Sequence, residues 1–264
     1  RSIHKTRGII FTTGPTGSGK TTTLYSLLNA LNNPSIKIIT IEDPIEYNLG
    51  GIVQTQINAE EGYTFASALR SLLRQNPNVI MVGEIRDEET AKVAVEAALT
   101  GHLVLSTIHA NSAAGAIARF VGLGIEKSLL SSAIECTIGQ RLVRKLCPHC
   151  KSVGEATPEL IEKTKQALQQ IEGRNDISIP AALTFYKAVG CKQCGGLGYK
   201  GRIGIYETIA MTSEMQKLIQ TSAVTESDIE NLALSQGSIL MIHDGIFKAL
   251  AGDTTIEEVF RVAA

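Results

Sequence analysis

The chain has 264 residues, 44% of them hydrophobic and 19% charged, with a net charge of −1. This balance suits one large domain, or a core with one or two appendages, and excludes a disordered chain. A charge near zero gives no global basic field to draw it onto nucleic acid or an anionic membrane. No apolar run approaches the roughly 18 residues of a membrane span. The opening Arg1–Arg7 has no signal-like apolar segment and reaches a strand-like run at once, so the expected protein is longer than this chain. Five cysteines, four of them in two C-x-x-C pairs, argue for a metal site in a cytoplasmic protein rather than a secreted disulfide framework.

Taken in chain order, Gly8–Thr13 is a short β-rich run, Lys20–Leu31 has helical periodicity, and Ile36–Ile41 reads as a second buried strand. Val79–Val82 and Leu103–Ser106 are further apolar strands, separated by the helical stretch Glu88–Leu99. Continuous apolar strands between helices predict an α/β core with a mostly parallel sheet covered on both faces. The pattern changes at Cys147: up to about Gly201 there are four cysteines, several glycines and a polar helical stretch, Pro158–Ile171. Ile203–Ile209 reads as a strand and the remainder as helix, with Thr255-Ile256-Glu257-Glu258 as a capping box. The predicted organisation is a core at 1–145, a cysteine-bearing insert at 146–201 and a small, mainly helical part at 202–264. Cys136 reads as core filler in a helical stretch.

Gly14-Pro15-Thr16-Gly17-Ser18-Gly19-Lys20-Thr21 matches G-x-x-x-x-G-K-[ST] between a predicted strand and a predicted helix. Glycines let successive backbone amides point inward at phosphates, and the helix start adds its positive dipole end. Lys20 is expected on the outer phosphates of ATP and the Thr21 hydroxyl on Mg2+, with Thr22 next in the first turn. Thr40–Glu46 places three carboxylates, Glu42, Asp43 and Glu46, after the second strand, at the sheet edge where ligands of open α/β sheets bind. Asp43 precedes a proline, which favours a turn. Glu84 follows Val79–Val82 and is the candidate strand-end acid near magnesium, against the plainer alternative of an exposed acid. His102 and His109 bracket the strand Leu103–Thr107. His109 lies at its C-terminal end, where it can donate to a γ-phosphate or relay its presence, whereas His102 lies at the other end.

Cys147-Pro148-His149-Cys150 and Cys191-Lys192-Gln193-Cys194 supply four thiolates, the set of a closed structural Zn2+ site. Their separation of 40 residues exceeds the usual ribbon spacing, so a redox pair or unconnected thiols remain alternatives.

Together the phosphate loop, the Thr40–Glu46 segment, Gly83-Glu84 and the two histidines resemble, in order and spacing, the Walker A motif, Asp box, Walker B motif and His box of secretion ATPases. These are the motors of type II secretion and type IV pilus assembly, and the resemblance covers the whole chain. It implies a RecA-like P-loop ATPase fold, a homohexameric ring, and ATP/ADP bound near subunit interfaces. It implies Glu46 as general base, Glu84 as the Walker B acid, His102 and His109 as the His-box pair, and Glu42 and Asp43 as shapers of the loop. Arginine fingers are expected largely from a preceding N-terminal domain, with Arg86 and Arg119 as local arginines, so this fragment should bind ATP yet hydrolyse it weakly. The tetracysteine insert resembles assembly and export motors rather than pilus-retraction motors, with a slight lean toward the pilus type. The implied partner is an inner-membrane platform protein met at the cytoplasmic face. Rival readings are a nucleotide-sensing scaffold without turnover and a RecA-like nucleic-acid motor. The latter is disfavoured by 5% aromatic content and no tryptophan for base stacking.

Overall fold

The computed structural model describes residues 2–174, 176–180, 182–221 and 223–263. Strand β1 (Gly8–Thr13) is buried at every position and leads into helix α1 (Lys20–Leu31). Leu24, Tyr25, Leu28 and Leu31 of α1 recur at helical spacing and are its buried residues. Then follow β2 (Ile38–Glu42), β3 (Val53–Gln56), α2 (Phe65–Leu73), β4 (Val79–Val82) and α3 (Glu88–Leu99). After them come β5 (Leu103–Ile108), α4 (Ala113–Val121), α5 (Lys127–Ala133), β6 (Ile134–Leu146), β7 (Lys151–Gly154) and α6 (Pro158–Gln169). The rest is β8 (Phe185–Ala188), β9 (Tyr199–Ala210), α7 (Ser213–Gln220), α8 (Glu226–Ser235), α9 (Met241–Leu250) and α10 (Ile256–Ala263).

One sheet has the order β3-β2-β4-β5-β1-β6-β9. From β3 to β6 every adjacent pair is parallel, as the apolar strands between helices predict. The register matters for function. Thr13 of β1 pairs with Ile108 of β5, and Ser106 pairs with Val82 of β4, which in turn pairs with Ile41 of β2. Neighbouring parallel strands therefore end together, and the segments that follow them emerge along one edge.

The chain folds into two units, Arg1–Thr16 with Lys20–Gly139 and Ile209–Glu230, and Gly17–Gly19 with Gln140–Thr208 and Asn231–Ala264. Each unit draws on separate stretches of the chain. In the first unit, α1 buries its apolar face against Ile10, Ile38, Met81, Leu103, Leu105 and Cys136. Cys136 is core filler as expected, but it lies on strand β6, not in a helix: Ile10 of β1 pairs with it in the sheet. In the second unit, Leu168, Phe185, Ile246, Ile256 and Val259 form a separate core. Thr255 accepts from the Glu258 N–H at 3.4 Å, the predicted cap, while the buried Glu258 carboxylate accepts from Arg144 and Arg261.

Candidate functional site

The phosphate loop leaves the C-terminal end of β1, the strand between β5 and β6. Gly14 and Ser18 are buried, Pro15, Thr16 and Gly17 exposed, and Gly19, Lys20 and Thr21 half-buried, with Thr22 exposed on the outer side of the first turn. Gly19 has φ +89°, and a Cβ there would also lie 3.2 Å from the Gln140 side-chain amide, so both backbone and space call for glycine. The Lys20 ammonium folds back over the loop and donates to the carbonyls of Gly14 (2.9 Å) and Pro15 (3.1 Å). A cation is thus held at the mouth of a loop that opens a helix, an arrangement that fits phosphate.

A residue that the sequence reading passed over fixes the neighbouring segment. The Thr13 hydroxyl donates to the Ala110 carbonyl (2.9 Å) and accepts the Ala110 N–H (3.0 Å). This clamp ties the root of the loop to the residue after His109. Thr107 performs the matching task on the other side. Its hydroxyl donates to the Gly83 carbonyl at 2.8 Å, and its own carbonyl accepts the Ile85 N–H at 3.0 Å. The β4–β5 pairing is thereby carried past the end of β4 through Glu84. Gly83 allows the passage, because a Cβ there would sit 3.3 Å from the Ile41 carbonyl.

Glu84 and His109 meet: His109 Nε2 lies 3.3 Å from Glu84 Oε2, and the exposed Arg86 donates its Nε–H to the same oxygen. The Glu84 side chain is 13% exposed, whereas His109 and Arg86 are open to solvent. His102 is not part of this group. It precedes β5 at the opposite end, where its carbonyl accepts the Gly8 N–H and its Nδ1 lies 2.9 Å from the Ala97 carbonyl. Arg119 is exposed in the last turn of α4.

The three acids after β2 separate by environment. Glu42 is buried and accepts from the hydroxyls of Tyr25 and Thr40 and from Gln54 Nε2 (3.0 Å). Burial, reinforced by the Glu42 carboxylate, pushes the Tyr25 hydroxyl well above the ordinary phenol value. Tyr25 lies four residues after Thr21, hence on the same face of α1, and its hydroxyl also meets the backbone of Glu46 and Tyr47. Glu42 is therefore a tether between β2 and the loop's helix. Asp43, before a cis peptide to Pro44, and Glu46 are exposed on the following loop. Tyr25 and Gln54 escape the sequence reading because neither residue belongs to a motif.

Far along the chain, the four cysteines converge. All four sulfurs lie within 4.8 Å of one another, with Cys147–Cys191 at 3.9 Å and Cys150–Cys194 and Cys191–Cys194 at 3.8 Å. A tetrahedron with metal–sulfur bonds of about 2.3 Å has edges of about 3.8 Å, so the thiols fit a closed zinc-type site. The long spacing is bridged by β7 and β8, which pair antiparallel from Lys151↔Ala188 to Gly154↔Phe185 and bring the two C-x-x-C ends together. Burial raises the Cys194 thiol, yet the amides of Cys191 (3.2 Å) and Gly198 (3.1 Å), together with the Cys191 and Cys150 thiols, outweigh it and bring the group to about 6. A thiolate is the form a soft cation binds.

A phosphate loop on an inner strand of a mostly parallel sheet, with acids and a histidine gathered at the same edge, defines a P-loop α/β protein carrying a four-cysteine module. The family model described as type II/IV secretion system protein matches residues 1–261, and the chain belongs to that family. It is 50% identical over 262 residues to type II secretion system protein E of Pseudomonas aeruginosa, covering 99% of this chain and 49% of the relative. To the type IV pilus assembly ATPase PilB of Thermus thermophilus it is 46% identical over 257 residues, 97% of this chain and 28% of that one. The chain spans about half the length of the curated relatives it matches, or less. Among solved structures it is similar to the pilus retraction motor PilT with bound ADP, at TM-score 0.69 and 31% identity, covering 99% of this chain and 62% of that one. The Legionella pneumophila ATPase DotB matches at TM-score 0.70 and 25% identity, covering 99% and 61%. The resemblance read from the four motifs thus holds. No helix of the described residues is long and apolar enough to cross a membrane.

Proposed function

We propose that the chain is the ATP-hydrolysing part of a motor that powers type II secretion or type IV pilus assembly. It works as a homohexamer at the cytoplasmic side of the inner membrane, docked on a membrane platform protein. The observation that supports this most is the convergence on one sheet edge of Lys20 at the loop mouth with the Glu84–His109 pair on the next two strands. The loop amides and Lys20 would hold the triphosphate, and the Thr21 hydroxyl would hold Mg2+, which supplies charge neutralisation between phosphate oxygens when bound.

Glu46 is assigned the general base. Of the three acids after β2, Glu42 is engaged by Tyr25, Thr40 and Gln54, while Glu46 is exposed on a loop whose backbone is held from α1. Glu84, its carboxylate held by His109 and Arg86, would serve the metal side of the site. His102, remote from this edge, acts through β5. The four cysteines would hold a structural Zn2+ beside the paired ends of β7 and β8.

Replacing Glu46 by Gln in the full-length hexamer tests the assignment. Nucleotide binding should stay within twofold of the parent, and hydrolysis should fall about 100-fold or more. An unchanged rate removes Glu46 from the role, and a parent that binds ATP without turnover turns the reading to a nucleotide-sensing scaffold.

A further inference from the structure

Among the described residues, three buried side-chain polar atoms have no partner: Thr12 Oγ1, Ser18 Oγ and Gln140 Oε1. Thr12 immediately precedes the clamp residue Thr13 on β1, Ser18 is in the phosphate loop, and Gln140 reaches the loop from β6. Gln140 follows Gly139, the β6 partner of Thr13, and is 1% exposed. Its Nε2 donates to the Ser18 carbonyl at 2.7 Å, and the same nitrogen bounds the space beside Gly19.

The Ser18–Gly19 peptide is trans, as Asp43–Pro44 is the one cis bond among the described residues. In a planar trans peptide the carbonyl and the N–H point opposite ways. Holding the Ser18 carbonyl therefore also sets the direction of the Gly19 N–H. We propose that Gln140 is a positioning residue of the phosphate loop, turning the Gly19 N–H toward the phosphates of a bound nucleotide. Stability does not account for the choice of residue. An apolar side chain of the same length would remove the unpaired carboxamide oxygen but leave the buried Ser18 carbonyl without its donor, so polar satisfaction is about even between the two. What glutamine adds is a donor aimed at one loop carbonyl.

This inference rests on the nucleotide reading above and deepens it. Its test uses Mg-ADP affinity by calorimetry, the steady-state rate, and the melting midpoint of the nucleotide-free protein, for the parent, Lys20→Ala, Gln140→Met and Gln140→Glu. Gln140→Met removes the donor at nearly constant volume. It should weaken ADP about five- to tenfold and raise the KM for ATP in step, the worth of one neutral hydrogen bond, with the melting midpoint little changed. Gln140→Glu, which also puts a carboxylate against the Ser18 carbonyl, should weaken ADP further. A residue serving the fold alone would lower the melting midpoint and leave affinity intact. ADP affinity within twofold of the parent in either folded variant, while Lys20→Ala abolishes binding, overturns the role of Gln140 and spares the nucleotide site. A parent that binds no ADP overturns both. Should Gln140→Met fail to fold, the Gln140→Glu comparison decides.

Discussion

Removing one sulfur from the tetracysteine cluster, by Cys194→Ser, is the perturbation whose size follows most directly from geometry. The sulfur–sulfur separations of 3.8–3.9 Å match the edges of a tetrahedron around one ion, so each thiolate is expected to be a full ligand. Structural zinc sites of this kind have apparent binding energies of roughly 10–16 kcal/mol at neutral pH. A quarter of that is about 3 kcal/mol, or roughly a hundredfold in metal affinity. Cys194 accepts two backbone amides, and those amides lose their sulfur acceptor in the variant, so the loss should be no smaller. The parent, purified without chelator, should carry one Zn2+ per chain by elemental analysis. Cys194→Ser should release it to a chromophoric chelator at about a hundredfold lower competitor concentration. Hydrogen exchange should then quicken in Lys151–Gly154 and Phe185–Ala188, the strands whose pairing the cluster pins, while β1 and β5 remain protected. A parent without metal, or a stripped protein whose β7–β8 amides stay protected, would rule out a metal that pins these strands.

Two further consequences are open to simpler assays. Thr13→Val keeps shape but removes both bonds to Ala110. It should leave ADP affinity within about twofold and lower kcat severalfold as the His109 segment loosens, so equal kcat in parent and variant would contradict the clamp. His243 is fully buried, with Nδ1 accepting the Leu240 N–H and Nε2 donating to the Ala167 carbonyl, and burial lowers its pKa. Above about pH 6.5 both folded and unfolded chains hold it neutral; below that the unfolded chain takes up a proton that the folded one resists, so stability falls with pH until the folded value is reached. The melting midpoint of the parent should drop faster between about pH 7 and pH 5 than that of His243→Gln, and parallel curves would count against this role.

The chemistry-bearing motifs were legible because local spacing encodes them: a phosphate loop needs eight consecutive residues, and a strand-end acid needs an apolar run before it. Elements whose stability is non-local were not. Edge strand β3 has the pattern exposed, half-buried, half-buried, exposed, so Gln54 and Gln56 give no apolar signal, and yet Gln54 helps to seal Glu42. Strand β6 carries Gly139, Arg141, Arg144 and Lys145 among its 13 residues, which hides its burial beside β1 and led Cys136 to be read as helical. Glu42 shows the same limit within a motif. Three acids in five residues read as one group, and only the folded position of Tyr25, seventeen residues earlier, divides a buried tether from an exposed acid. The convergence of the cysteine pairs likewise depends on β7–β8 pairing across a helix.

If Lys20 and the loop around it hold a triphosphate, a titration of Mg-ATP and Mg-ADP into parent and Lys20→Ala at fixed salt will separate the two proteins. Saturable binding is expected for the parent and a loss of about 100-fold or more for the variant, the scale expected when a charged phosphate contact is removed. Equal affinity in the two proteins, with both folded, would contradict it.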